Sequence, residues 1–237
     1  MMKENIWNID IDSYLRIKTE SRKLTLYPRL LELIDQYKPD RILDYGCGDG
    51  EFVYLLLDRR NIRTGIYDNS KLALQIANNK LTSFGVDVYN MVNDIPKNHF
   101  DLVIFSLVLM TISSEEEINI ALTNIVNAKK KDGIVLIAVT HPCFRQYKYS
   151  TFYTDYTEEK PFYYLNEGDK FLVHIHDPLT NDEISFHDYH WSLSKTANLI
   201  AKNNMVIKNI YELSDYNSEG AYFSNNFFPP YLILVCC

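Results

Sequence analysis

Residues 42–50 read Ile-Leu-Asp-Tyr-Gly-Cys-Gly-Asp-Gly, so three of the chain's eight glycines, Gly46, Gly48 and Gly50, fall within five positions behind an apolar run ending on Asp44. Glycine lacks a Cβ and accepts positive φ, so such a loop turns tightly and lets its backbone approach a ligand that larger residues would hold off. The apolar segment that follows, Glu51 to Leu57, reads as a helix whose first amides point into the same space, a setting suited to a nucleotide-like ligand. Cys47 lies inside this loop. About twenty residues further on, Gly65-Ile66-Tyr67-Asp68 ends a second apolar run, where a carboxylate is placed to accept the hydroxyls of an adenosine ribose. Asn93-Asp94-Ile95 offers a further carboxylate beside an apolar residue, suited to the edge and face of an adenine. The alternative reading of Asp68 is that it begins a turn with Asn69.

Elements at regular intervals must position these groups. Strand and helix signals alternate from residue 28 to residue 140, the pattern of a parallel sheet covered by helices. Pro28 to Tyr37 has helical spacing and ends before Pro39; Arg41 to Tyr45 and Arg63 to Tyr67 read as strands. Ser70 caps a helix with Leu72, Ala73, Ile76 and Ala77 on its apolar face. Val86 to Tyr89 is a short third strand, and Phe100 to Leu109 a long one buried on both faces. Ser113 or Ser114 caps a helix with Glu115 to Glu117 in its first turn, where the dipole favours negative charge. Lys129-Lys130-Lys131 reads as the last turn of that helix, stopped by Asp132-Gly133, and Ile134 to Thr140 as the fifth strand.

Residues 142–188 break the regularity. They are rich in Tyr and Phe, poor in helical periodicity and too long for a simple connection, so they are expected to form an insertion with its own structure, β-rich and placed as a lid. Lys170 to His176 and Glu183 to Tyr189 read as a hairpin about a polar turn. Its histidines, His174, His176 and His187, share one face, with His190 nearby; a hydrogen-bonding role is favoured over a metal site, because no Cys or carboxylate spacing accompanies them. Phe152, Tyr153, Tyr156, Phe162, Tyr163, Tyr164 and Trp191 form either a wall for a flat substrate or the insertion's own core. A helix from Ser192 or Ser194 to Asn203 follows, then strands from Val206 to Leu213 and Tyr231 to Cys236.

The 237 residues are 46% hydrophobic and carry a formal charge of −7. That size supports a single domain over 1–237 with a full core. The acidic balance argues against nucleic acid, which needs a basic footprint. No apolar run long enough to span a bilayer is present, and a cytoplasmic, soluble protein is expected. Four cysteines at 47, 143, 236 and 237 offer neither a disulfide framework nor zinc-knuckle spacing, so no metal is expected.

The segments Ile42 to Gly50, Gly65 to Ser70, Asn93-Asp94, Phe100 to Val108 and Lys131 to Thr140, in this order and spacing, resemble the class I S-adenosylmethionine-dependent methyltransferases. The resemblance covers residues 28–140 closely and the last helix and two strands loosely. It implies a Rossmann-like doubly wound α/β fold, a seven-stranded sheet with an antiparallel last strand and helices on both faces. It implies S-adenosyl-L-methionine as cofactor, with Asp44 and the backbone of Gly46 to Gly50 at the methionine part, Asp68 on the ribose and Asn69 beside the adenine. Asp94 and Ile95 would meet the adenine's edge and face, and Ser106 and Leu107 would form the floor. Residues 1–27 would cover the cofactor, with Tyr14 closing over its methionine end. Glu51 stands where a dinucleotide loop wants a third small residue, which separates this site from a nicotinamide one.

Methyl transfer asks chiefly for alignment of the attacking atom, and for a base only where the nucleophile must lose a proton. His141, directly after the fifth strand, is the first candidate for that base; its alternative is a packed, hydrogen-bonded strand end. The favoured activity is methyl transfer to a small-molecule acceptor. The alternatives are methylation of tRNA, rRNA or protein, and a non-catalytic cofactor-binding partner. Oligomeric state, a homodimer included, is left open.

Overall fold

A computed structural model describes residues 21–149, 151–176, 182–213 and 228–237. After a π-helical turn over Arg22–Leu26, helix α1 (Tyr27–Tyr37) starts with Pro28 in its first turn and stops where Lys38 takes a left-handed conformation. Its buried residues Leu30, Leu33 and Ile34 recur at helical spacing. β1 (Arg41–Tyr45), α2 (Glu51–Leu57), β2 (Arg63–Tyr67), α3 (Lys71–Leu81), β3 (Asp87–Tyr89) and β4 (Phe100–Ser106) then alternate. The Ser70 Oγ accepts the Ala73 amide at 3.3 Å and caps α3. In α4 (Glu115–Ala128) the cap is Ser114, whose Oγ accepts the Glu117 amide at 3.3 Å.

β5 spans Lys129–Thr140, so the lysine run is strand and not the last turn of α4 as expected. The physical reason is pairing: Lys129 lies opposite Phe100, and the register shifts before Leu102 meets Ile134. The Lys130 ammonium reaches Asp101 at 2.6 Å across this bulge. A Cβ on Gly133 would stand 3.0 Å from the carbonyl oxygens of Lys130 and Phe100, so the expected helix stop is instead a close backbone crossing.

The remaining strands are β6 (Phe152–Thr154), β7 (Lys170–His176), β8 (Glu183–Tyr189), β9 (Ile207–Leu213) and β10 (Tyr231–Cys236), with α5 (Leu193–Lys202) before β9. The large sheet has the order β3-β2-β1-β4-β5-β10-β9. β1 to β5 run parallel, while β10 pairs antiparallel with both neighbours. Leu43, Val103, Phe105 and Val135 face α4 and α5; Ile42, Leu102, Ile104 and Leu136 face α1 and α2. The doubly wound seven-stranded fold is therefore present, with helices on both faces. No helix among the described residues is long and apolar enough to cross a membrane.

In the expected insertion, β6, β7 and β8 form a separate antiparallel sheet whose last strand runs on to Tyr189. Tyr156, Phe171 and Val173 are its core, with Phe162 packed against them. The aromatic set, read as either a wall or the insertion's own core, divides: Tyr156 and Phe162 serve this private core, Trp191 joins the main core, and Tyr163 is exposed.

Candidate functional site

The strand order reverses between β1 and β4, and a crevice opens there at the carboxyl ends of the strands, where parallel sheets bind ligands. A cleft of about 1280 Å³ occupies it. The loop after β1 forms one wall. Gly46 has φ +90°, and a Cβ there would stand 2.4 Å from a methyl of Val108, so only glycine lets β1 turn off the sheet against the loop after β4. The amides of Gly46 and Cys47 both donate to the carbonyl of Tyr67, at 2.7 and 3.0 Å, which seats the loop on the end of β2. Gly50 begins α2 in a left-handed conformation, and its bare Cα lets α3 pack close, a Cβ there meeting Ala77 at 3.0 Å. Asp49 ties the loop to α3 through Lys80.

Asp68 is 7% exposed and accepts the Gly48 amide at 2.9 Å and the Ser70 amide at 2.8 Å. Burial raises its carboxyl above the ordinary range, and the two amides partly offset this. Asp44, 4% exposed, has no hydrogen bond to its carboxylate from any described residue. Burial, reinforced by the Asp68 charge, pushes it up to about 7. An unpaired buried carboxylate facing a cleft is an arrangement completed by a cationic ligand. The Cys47 thiol is driven well above its ordinary value by burial first and by Asp44 next, so it stays protonated and is no nucleophile.

The cleft gathers Asp44, Gly46, Cys47, Gly48, Asp68 and Asn69 with Ser106 and Leu107. Leu107 has φ +57° and donates its amide to the Ala138 carbonyl at 2.8 Å, a backbone state costly for a branched side chain and characteristic of sites. Asn93, Asp94 and Ile95 do not line the cleft. Asp94 turns its carboxylate back to the Met91 amide at 3.1 Å, and Ile95 is buried in the main core. Val92, one turn earlier, occupies the cleft wall instead. Tyr14 lies outside the described residues.

His141 is also absent from the lining. The residue is 4% exposed, Nε2 pairs with Glu212 at 2.9 Å, and Nδ1 accepts the Cys143 amide at 3.3 Å. Burial holds its pKa below the ordinary value, against the pull of Glu212. The structure thus gives this histidine a packed, hydrogen-bonded place at the end of β5, outside the cleft lining.

Several lining residues carried no sequence signal. Tyr45 and Tyr67 stack obliquely at 4.9 Å beside the loop, and Thr111 enters from the turn after β4. From the inserted sheet, Phe186, His187 and Tyr189 reach the cleft. The other hairpin histidines go elsewhere: His174 stacks on Tyr153 and pairs with Glu183, and buried His190 bonds the Tyr164 carbonyl at 2.7 Å. No metal-binding group of His, Cys, Asp and Glu occurs among the described residues.

The fold is shared with known structures. An S-adenosylmethionine-dependent methyltransferase from Clostridium acetobutylicum matches 96% of this chain and 94% of its own, at 13% identity and a TM-score of 0.61. One from Mesorhizobium loti matches 86% of this chain and 95% of its own, at 17% identity and a TM-score of 0.62. No curated protein matches. Residues 37–170, more than half of the sequence, match the family model described as a methyltransferase domain, and the chain belongs to that family.

Proposed function

We propose that the protein is an enzyme that transfers a methyl group from S-adenosylmethionine to a small-molecule acceptor. The observation that carries this reading is the pair of buried carboxylates at the crevice, one unpartnered and one held by the glycine loop. S-adenosylmethionine brings an ammonium, a sulfonium and a ribose diol, and those groups fit this donor and acceptor set.

Asp44 would hold the ammonium, with the backbone of Gly46, Cys47 and Gly48 around the methionine part. Asp68 would take the ribose, since each of its oxygens retains a lone pair beyond the amide it accepts. Asn69 and Val92 would flank the adenine, with Ser106 and Leu107 as floor. Bound S-adenosylmethionine supplies an electrophilic methyl group, so the chain's contribution is chiefly placement, which is worth several kcal/mol. The family architecture and the wall contributed by β8 support an acceptor small enough to be enclosed between the sheet and the insertion. The charge of −7 supports a small molecule over a nucleic acid.

Calorimetry with S-adenosylmethionine, S-adenosylhomocysteine and NAD tests the reading. Binding of the first two and not of NAD is expected; NAD binding without response to S-adenosylmethionine refutes it.

A further inference from the structure

We infer that the protein holds one ordered water molecule between Arg145, Asp188 and His190, and that this water ties the inserted sheet to the turn after β5. None of the three residues lines the cleft, so the site is additional to the one described above. Five buried side-chain polar atoms have no protein partner among the described residues, and three of them fall here: Arg145 Nε, Asp188 Oδ1 and His190 Nδ1. The residues that carry them are 6%, 4% and 0% exposed. A buried polar atom without a hydrogen bond is costly, and three in one place call for a group that bonds them all.

Side-chain packing brings the three together. Arg145 ends the short turn Pro142–Phe144, and its guanidinium lies over the Phe171 ring, 5.1 Å from the centroid. Phe171 on β7 stands opposite Asp188 on β8. Ring contacts continue from Phe171 to Tyr156 at 5.3 Å, from Tyr156 to Phe162 at 5.1 Å, and from Phe162 to His190 at 4.8 Å. The Arg145 charge is felt at both ends: it holds the Asp188 carboxyl down against burial and adds to the lowering that burial imposes on His190. Yet the guanidinium and the Asp188 carboxylate form no ion pair within 4.0 Å, so they are neighbours that do not touch.

Donor and acceptor roles select what joins them. His190 Nε2 lies 2.7 Å from the Tyr164 carbonyl, which can only accept, so Nε2 carries the proton. In the neutral ring that burial favours, Nδ1 is then an acceptor. The carboxylate oxygen of Asp188 also accepts, whereas Arg145 Nε–H only donates. The bridging group must therefore donate twice and accept once. Water does both, an ammonium cannot accept, and a chloride or carboxylate cannot donate; three such bonds are usual for a buried water. Arg145 is already fixed to the end of β5 by the Thr140 hydroxyl, and its carbonyl accepts the Thr154 hydroxyl of β6 at 2.6 Å. The water extends this tie to β8, whose residues on either side of Asp188, His187 and Tyr189, line the cleft.

A crystal structure of the wild-type protein, at a resolution that shows ordered solvent, tests this. One oxygen peak within hydrogen-bond distance of Arg145 Nε, Asp188 Oδ1 and His190 Nδ1 is expected. No peak there, or a direct ion pair between Arg145 and Asp188, overturns the inference. Asp188→Asn keeps an acceptor oxygen and should keep the peak. Asp188→Leu removes the acceptor, and should expel the water and lower the melting temperature by about 5 °C or more. A peak unchanged in Asp188→Leu, or lost in Asp188→Asn, also overturns the inference. Should Asp188→Leu fail to fold, the wild-type and Asp188→Asn structures decide.

Discussion

The Gly48 amide donates to one oxygen of Asp68 at 2.9 Å, which joins the glycine loop after β1 to the end of β2. The other oxygen takes the Ser70 amide at the start of α3, so a single carboxylate sets both the loop and the helix entry. Asp68→Ala should therefore weaken S-adenosylmethionine binding by about tenfold to a hundredfold, the worth of hydrogen bonds to a charged group, and lower the melting temperature slightly. Calorimetry and thermal unfolding on the same samples check this. Unchanged affinity would remove Asp68 from the ribose.

Cofactor affinity should depend on pH through Asp44, which titrates at about 7 because it is buried and beside Asp68. Below that value the carboxyl is neutral and offers nothing to an ammonium. Affinity should fall by up to about tenfold per pH unit well below pH 7 and level off above it. Asp44→Asn should abolish that slope together with most of the binding. A pH-independent affinity in the wild type would separate Asp44 from the cationic group.

Stability of the ligand-free protein should move the opposite way. Burial raises the folded-state values of both Asp44 and Asp188 to about 7, so between pH 4 and 7 the native state binds more protons than the unfolded one. Stability from these groups is present at low pH and is lost as pH rises through about 7. The melting temperature should be higher at pH 6 than at pH 8, and Asp44→Asn should shrink the difference.

Gly46→Ala should destabilise by about 1–3 kcal/mol, because the new methyl meets Val108 and φ +90° is costly for alanine. Cofactor binding should weaken with it. An unchanged melting point would show that the loop after β4 gives way freely.

His141→Ala should cost stability, by about 1–3 kcal/mol, through the lost contacts to Glu212 and the Cys143 amide. Cofactor affinity and turnover of the folded fraction should stay within about twofold. A large loss of turnover at full cofactor binding would return this residue to the chemistry.

Local rules made much of this molecule readable. The caps at Ser70, Ser114 and Ser192 follow from side chains that accept a backbone amide three residues on, and the strands β1, β2 and β10 from apolar runs bounded by polar stops. The lysine run at 129–131 was misleading because helix-end chemistry and strand pairing both accommodate lysine. Only the partner strand, with Lys129 opposite Phe100 and Lys130 on Asp101, decides between them.

The sequence by itself determined the doubly wound α/β order, the glycine turn, and the presence of Asp44, Asp68 and Asn69 at strand ends, because these depend on residue type and short-range periodicity. Tertiary structure decided which polar groups meet. It set Val92 in the cleft in place of Asp94 and Ile95, turned His141 onto Glu212, and brought His187 from a separate sheet into the site. The last of these depends on how the inserted sheet seats on the turn after β4, beside which Trp191 bonds Ile112, a contact between segments about eighty residues apart that no local pattern encodes.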